Sequence, residues 1–134
     1  MATNEALMSF AESRGYEIFY LPLTENSALT VECDGYHIAL AKQLERAAEK
    51  EVLAHELGHC EYGGVYNRHS AYDIKAKAEY RADKWAYSRI VPVRQVRSAI
   101  RRGIATAWEL ADSFGVSCQY MQKAVDYYRT IGLI

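Results

Sequence analysis

The chain has 134 residues, of which half are hydrophobic and a quarter are charged. This composition is typical of a folded globular protein, and the length is sufficient for one domain that buries its own core. The formal net charge of −1 argues against a protein that binds nucleic acid over its whole surface, although it allows a local basic patch.

The sequence shows no sign of a secretion signal or a membrane anchor. No N-terminal segment joins a basic start to an apolar stretch, and no run of about eighteen apolar residues occurs. The three cysteines, Cys33, Cys60 and Cys118, are odd in number and widely spaced, so a disulfide framework is not expected. We therefore expect a cytoplasmic protein that does not associate with membranes.

The chain begins with a predicted helix and a predicted strand. Thr3 has the residue type of a helix N-cap, and the amphipathic pattern after it predicts a helix over residues 4–14. Gly15 is suited to end this helix. Residues 16–21 then have the composition of a short strand.

A hairpin is predicted next. The segments 28–33 and 36–40 are rich in strand-forming residues, and they flank the dipeptide Asp34-Gly35. This dipeptide between two such segments is a strong signal for a tight β-turn. With the preceding strand, the pattern predicts a small antiparallel sheet.

Two long helices are predicted after the hairpin, over residues 42–62 and from about Ser70 to about Val91, where Pro92 prevents simple continuation. The spacing of Ser70 and Asp73 is that of a capping box at the start of the second helix. Gly58 lies inside the first helix, where glycine costs about 0.5–1 kcal/mol relative to alanine. We therefore expect another backbone or the substrate to pass close to Gly58.

The first of these helices contains the motif His55-Glu56-Leu57-Gly58-His59. Residues four apart lie on the same helix face, so the two imidazoles can bind one zinc ion while Glu56 is directed at a water molecule on it. Zinc lowers the pKa of such a water molecule to about 7, and the carboxylate can then accept its proton as general base. The motif thus predicts an enzyme.

A third ligand is available on the second helix. Glu79 follows His59 after nineteen residues, and Asp83 lies one turn beyond it. Both can project from one face, Glu79 towards the metal and Asp83 towards the free nitrogen of a ligating histidine. This spacing resembles that of the thermolysin-like gluzincins. The alternative is a solvated helix face on which both acids alternate with basic residues.

The similarity extends to a narrower family. Five segments resemble the ImmA/IrrE-type metallopeptidases of bacteria, their phages and integrative elements, namely residues 52–59, 79–87, 91–92, 109–117 and 124–128. Members of this family are zinc-dependent endopeptidases, best known for cleaving a helix-turn-helix repressor and so switching on stress, transfer or lytic genes. The resemblance implies a minimal zincin-like core with His55, His59 and Glu79 as zinc ligands, Glu56 as catalytic base and Asp83 beside a ligating histidine.

Four polar side chains near the motif could donate a hydrogen bond to the oxyanion that develops during peptide hydrolysis, namely Tyr62, Tyr66, His69 and Tyr72. Spacing alone does not select among them, and we assign this role to His69 as a hypothesis. The alternative for each tyrosine is a packed ring with its hydroxyl at the surface. A free sheet edge at the hairpin could also hold substrate in extended form by strand addition.

The C-terminal third resembles a helix-turn-helix. Residues 106–109 have capping-box spacing, and residues 110–125 have its turn and core positions, with Gly115 in the turn. The predicted reading helix, residues 118–128, carries one lysine and no arginine. Because phosphate contacts supply most of the affinity for DNA, this helix is poorly equipped to bind DNA alone.

Four basic residues form a stripe on the preceding segment, namely Arg94, Arg97, Arg101 and Arg102. They lie opposite three apolar residues, namely Val93, Val96 and Ile100. The stripe is either a solvated face of an amphipathic helix or a surface that docks a partner.

These patterns predict an α+β protein. Residues 1–92 form a zincin-like core with a small antiparallel sheet and two metal-site helices, and residues 93–134 form a helical extension that recognises the protein substrate. We expect a zinc endopeptidase that cleaves a helix-turn-helix repressor and does not itself bind DNA. The alternative is a non-catalytic regulatory protein whose C-terminal helices bind DNA or a repressor.

Overall fold

The computed structural model describes residues 2–62, 66 and 69–134. Its elements in chain order are α1 (Asn4–Ser13), β1 (Glu17–Leu21), β2 (Ala28–Glu32), β3 (Tyr36–Ala41), α2 (Arg46–Glu61), α3 (Tyr72–Ile90), α4 (Val93–Arg101), α5 (Ala107–Phe114) and α6 (Cys118–Thr130). The predicted α+β class is confirmed. None of the described helices combines the length and the apolar character needed to cross a membrane.

The sheet has three strands in the order β1-β3-β2. The hairpin strands β2 and β3 pair antiparallel as predicted, whereas β1 pairs parallel with β3, so the sheet is mixed and not antiparallel throughout. The chain runs back along β2, and β3 then has the direction of β1. The central strand β3 buries four consecutive residues, Ile38 to Ala41, and β2 is left at the edge.

The predicted turn between β2 and β3 is confirmed. Asp34 and Gly35 have φ values of 54° and 107°, both in the left-handed region that this dipeptide adopts readily in tight hairpins. The turn fixes the register in which Thr30 faces Ile38. It therefore also determines which β2 side chains point towards the helices.

The helix α2 begins at Arg46, four residues later than predicted. Lys42 still belongs to the sheet side of the connection, because its N–H donates to the Leu21 carbonyl at 3.0 Å. The helix is buried through Leu53, Ala54 and Leu57, which have 0% exposure. This buried face packs α2 against the sheet and α3. Another face of α2, which carries His55 and Glu56, lines a cleft.

The helices α2 and α3 approach each other closely at Gly58. A Cβ atom at this position would lie 2.6 Å from the Ala82 carbonyl oxygen, which is closer than real Cβ atoms come. The expectation of a backbone beside Gly58 is confirmed, and the backbone is that of α3. The predicted capping box is wrong, because α3 begins at Tyr72 with Ala71 as N-cap and no side-chain cap.

The predicted cap at Thr106 is confirmed, and α6 has a side-chain cap of the same kind. Thr106 accepts a hydrogen bond from the Glu109 N–H at the start of α5, and Ser117 accepts one from the Tyr120 N–H at the start of α6. Gly115 ends α5 with a φ of 67°. One hydrophobic core joins these helices to the rest of the chain, with members that include Leu7, Leu40, Leu57, Ile90, Val96, Leu110 and Met121.

Candidate metal centre and cleft

Two histidines of α2 and one glutamate of α3 converge at a single point. The Nε2 atoms of His55 and His59 lie 3.2 Å apart, and their rings are nearly perpendicular at 83°. Glu79 places Oε2 2.7 Å from Nε2 of His55, and Oε1 3.1 Å from Nε2 of His59. One ligand atom from each residue lies within 4.8 Å of the other two. The close approach of α2 and α3 at Gly58 makes this convergence possible.

This donor set fits a catalytic zinc ion. Zinc in hydrolytic sites takes three protein ligands from histidine nitrogens and carboxylate oxygens, and it keeps a fourth position open. Two nitrogens bound tetrahedrally about 2.0–2.1 Å from one ion would lie about 3.3 Å apart. The observed separation of 3.2 Å between the His55 and His59 nitrogens matches this requirement.

Asp83 lies behind the first histidine ligand. Its Oδ1 atom is 2.8 Å from Nδ1 of His55. The other ring nitrogen, Nε2, is therefore directed towards His59 and Glu79. Burial lowers the pKa of His55, but the Asp83 hydrogen bond, with the charges of Asp83, Glu79 and Glu56, outweighs it and raises the pKa overall. The carboxylates thus orient the ring and increase its basicity.

Glu56 lies in the same cleft as His55 and Glu79. The Thr30 hydroxyl of β2 donates a hydrogen bond to Oε2 of Glu56, and this bond connects the edge strand to α2. The sequence pattern gives Thr30 no role beyond that of a strand residue. The strand alternation was the available signal, but it does not show which side chain of the opposing helix lies within reach.

The structure distinguishes the polar residues near the motif. The Tyr66 hydroxyl donates to Oε1 of Glu79 at 2.6 Å, whereas Tyr62 and Tyr72 are 52% and 85% exposed. The hydrogen bond to Glu79, followed by burial and nearby negative charge, raises the pKa of Tyr66 to about 12, so its hydroxyl remains a donor at neutral pH. His69 is exposed. Its predicted oxyanion role stays a prediction.

The ligand set opens into a cleft of about 440 Å³. Its walls come from the start of β2, from α2 and α3, and from α6, which contributes Tyr120 and Lys123. Sequence reasoning missed this last wall. The spacing of the turn and core residues around α6 resembles that of a DNA-reading helix. No local sequence pattern shows that the first turns of α6 lie near α2.

Polar contacts from α2 fix the turn between α5 and α6. The buried Lys50 ammonium donates to the Phe114 carbonyl at 2.7 Å, and Oε1 of Glu51 accepts from the Ser117 N–H at 2.6 Å. Helix-turn-helix proteins use the N-terminal residues of their second helix to contact base edges. In this chain, the Ser117 N–H at the start of α6 is bound by α2, and Tyr120 in its first turn lines the cleft.

The zincin-like core and the His–His–Glu set define a metallopeptidase. The chain belongs to the Peptidase M78 family, because the family model described as the IrrE N-terminal-like domain matches residues 11–126. The resemblance found in the motifs is therefore confirmed, and the matched region extends from α1 into α6. No curated protein matches the chain.

Proposed function

We propose that the protein is a zinc-dependent endopeptidase of the cytoplasm that cleaves a helix-turn-helix repressor. Cleavage would relieve repression of phage, mobile-element or stress genes. The observation that carries the proposal is the convergence of His55, His59 and Glu79 within 4.8 Å, in a cleft that also contains Glu56.

The three ligands would hold zinc through two imidazole nitrogens and a carboxylate oxygen. When bound there, zinc would activate a water molecule and polarise the carbonyl of the scissile peptide bond. Asp83 and Tyr66 support this arrangement through their hydrogen bonds to His55 and Glu79. Ligand partners of this kind typically affect metal affinity by about 10–100-fold.

Glu56 is suited to move the proton during hydrolysis. Its carboxylate accepts the proton of the attacking water and then delivers it to the leaving amine, which is general base and then general acid catalysis. The Thr30 hydroxyl holds one carboxylate oxygen, so the other is available for the proton. General acid–base catalysis of this type contributes about 10²–10⁴-fold to a rate.

The edge strand β2 provides a surface for the substrate backbone. Its outer side has no strand partner among the described residues, and Thr30 connects the middle of the strand to Glu56. An extended segment can pair with such an edge through main-chain hydrogen bonds. We therefore expect cleavage in an extended linker or loop of the repressor.

The position of α6 supports a protein substrate over operator DNA. The N–H before its first turn is bound by Glu51, and Tyr120 in that turn lines the cleft, so part of the surface that would read bases faces the candidate metal site. The helix carries two basic residues, Lys123 and Arg129, and this is few for a helix that must contact several phosphates. These features favour the peptidase hypothesis over the DNA-binding alternative.

The test is incubation of the zinc-loaded protein with the helix-turn-helix protein encoded next to it, followed by mass measurement of the products. We expect two fragments whose masses add up to the intact repressor plus one water. An intact repressor after prolonged incubation with fully zinc-loaded protein would contradict this substrate. Salt-sensitive, sequence-specific DNA binding by the protein alone would favour the alternative function.

A further inference from the structure

We propose that Tyr120 and Lys123 of α6 form a side-chain subsite in the metal cleft that selects an acidic residue of the substrate. The inference rests on the proposed peptidase function and adds the chemical class of a residue near the cleaved bond. It assigns substrate selection to a helix whose sequence resembles a DNA-reading element.

The two residues share one face of α6. They are three positions apart, so their side chains project in similar directions, and both line the cleft that contains His55 and Glu56. A peptide bound across the metal ligands would therefore pass along this face of α6. The subsite is part of the catalytic cleft and not a separate pocket.

The helix α6, which forms one wall of the cleft, is held in place near both of its ends. Glu51 accepts the Ser117 N–H at the start of α6, and the Tyr128 hydroxyl donates to the Val91 carbonyl at 2.7 Å near its end. The Tyr120 ring also packs against Tyr87 with a centroid distance of 5.3 Å. A subsite on a fixed helix discriminates between side chains better than one on a loop, because its donors keep their positions.

The hydroxyl of Tyr120 lacks a hydrogen-bond partner. It is the one buried side-chain polar atom without such a partner in the described part of the chain. Burial, with the charges of Tyr87, Asp83 and Glu51, raises its pKa, so the group is a donor at neutral pH. A buried donor without a partner is unfavourable, and an acceptor brought in by a ligand would remove that penalty.

Lys123 is the second donor without a partner. Its side chain is exposed, and it takes part in none of the ion pairs between described residues. An ammonium group three residues from an unsatisfied hydroxyl is complementary to a ligand that is both anionic and a hydrogen-bond acceptor.

The acidic groups of the cleft already have partners. Four carboxylates line it, and all four accept hydrogen bonds or pair with histidine, namely Glu51, Glu56, Glu79 and Asp83. On the α6 wall of the cleft, the Tyr120 hydroxyl and the Lys123 ammonium are thus donors without a partner among the described residues. A carboxylate satisfies both, so we expect an aspartate or glutamate side chain at this subsite.

The experiment uses short peptides that carry a zinc-binding hydroxamate, and it measures their dissociation constants from the zinc-loaded protein by fluorescence anisotropy. Two sets place the hydroxamate at either end, so that the cleft on both sides of the metal is sampled. Within each set, one position at a time is Glu, Gln or Lys. We expect Glu to bind roughly threefold to tenfold tighter than Gln at one position.

Variants of α6 locate the preference. Lys123→Glu should abolish the preference for Glu and favour the Lys peptide, whereas Lys123→Arg should keep it. Arg129→Glu makes the same change of charge on the same helix away from the cleft, so it should leave the preference unchanged. Tyr120→Phe removes only the hydroxyl and should weaken binding of the Glu peptide about threefold, with the zinc content unchanged.

The outcomes separate the two proposals. Equal affinities for Glu and Gln at every position, or a preference that survives in Lys123→Glu, would overturn the subsite and leave the peptidase function intact. If no hydroxamate binds the zinc-loaded parent protein, the cleft is not a peptide site, and both proposals fail.

Discussion

Two helix pairs meet at the cleft, and they are attached to each other in different ways. The metal pair, α2 and α3, is in backbone contact at Gly58 and Ala82, where a single added methyl group would collide with a carbonyl. The C-terminal pair, α5 and α6, is attached to α2 at its turn by the polar contacts of Lys50 and Glu51. The first attachment fixes the geometry of the candidate ligands, and the second positions a cleft wall that contributes none of them.

The difference separates chemistry from selection. Catalysis requires ligand atoms held to within a fraction of an ångström, and a close backbone contact between helices provides that constraint. Substrate selection requires side chains that can be substituted without moving the metal ligands. Tyr120 and Lys123 meet this condition, because they project from a helix that carries none of the three ligands.

The largest expected effect is that of Glu56→Gln on the metal pair. The three ligands remain, so zinc content should be unchanged, but the carboxylate that accepts the proton is gone. Cleavage of the repressor should slow by about 10²–10⁴-fold. The measurement is the rate of fragment formation, with the zinc content determined on the same samples. Cleavage at the parent rate would show that Glu56 is not the base.

A second prediction compares Glu79→Ala with Asp83→Ala. Glu79 would contribute a ligand atom, whereas Asp83 would act on the metal only through its hydrogen bond to His55. Glu79→Ala should therefore lose far more zinc affinity than Asp83→Ala, for which a loss of about 10–100-fold is typical. Competition with a chelator of known affinity measures both. Equal zinc retention by Glu79→Ala and the parent protein would place the third ligand elsewhere.

A third prediction concerns the tyrosine that supports Glu79. Tyr66→Phe removes the hydroxyl that donates to Oε1 of Glu79 and should lower zinc affinity by about tenfold. Tyr72→Phe is the matched control, because the Tyr72 side chain is 85% exposed. The same chelator competition applies. If both variants bind zinc as the parent does, Tyr66 does not orient the ligand.

The metal centre could be predicted from sequence because helix geometry converts spacing into direction. His55 and His59 share a face at a separation of four residues, and so do Glu79 and Asp83. The glycine inside α2 likewise predicted that another backbone or the substrate lies close by, and the neighbour is the backbone of Ala82. Each of these inferences starts from a spacing or a residue type within one helix, where local sequence carries the information.

The remaining features depend on contacts between elements, which local patterns do not encode. The parallel pairing of β1 with β3 follows from the path of the hairpin. The late start of α2 accompanies the backbone hydrogen bond from Lys42 to Leu21, which keeps residue 42 beside the sheet. The α6 wall depends on how Lys50 and Glu51 hold a turn more than sixty residues away. Each lysine or glutamate in isolation would be interpreted as a surface charge.

The attachment of the two pairs can be tested directly. Gly58→Ala forces a Cβ against the α3 backbone and should destabilise the fold by about 1–3 kcal/mol, with weakened zinc binding. Lys50→Met removes a hydrogen bond to the buried Phe114 carbonyl and should cost about 1–3 kcal/mol, with zinc affinity retained. Denaturant unfolding and zinc titration separate the two effects. Parent-like zinc affinity in Gly58→Ala would contradict the proposed role of the close contact.

The smallest expected effect concerns the basic stripe of α4, which lies outside the cleft. Arg97 is an unsuitable probe, because its Nε donates to the Leu133 carbonyl at 2.7 Å and its loss would disturb the C-terminus. Arg94 and Arg101 are exposed, so Arg94→Glu combined with Arg101→Glu changes charge without removing a contact of this kind.

If the stripe docks the repressor, association should slow several-fold, and the difference from the parent should shrink with added salt. Hydroxamate peptides that reach only the cleft should bind as before, since their contacts do not extend to α4. Unchanged repressor cleavage at low salt would show that the stripe is a solvated helix face, and recognition would then be confined to β2 and α6.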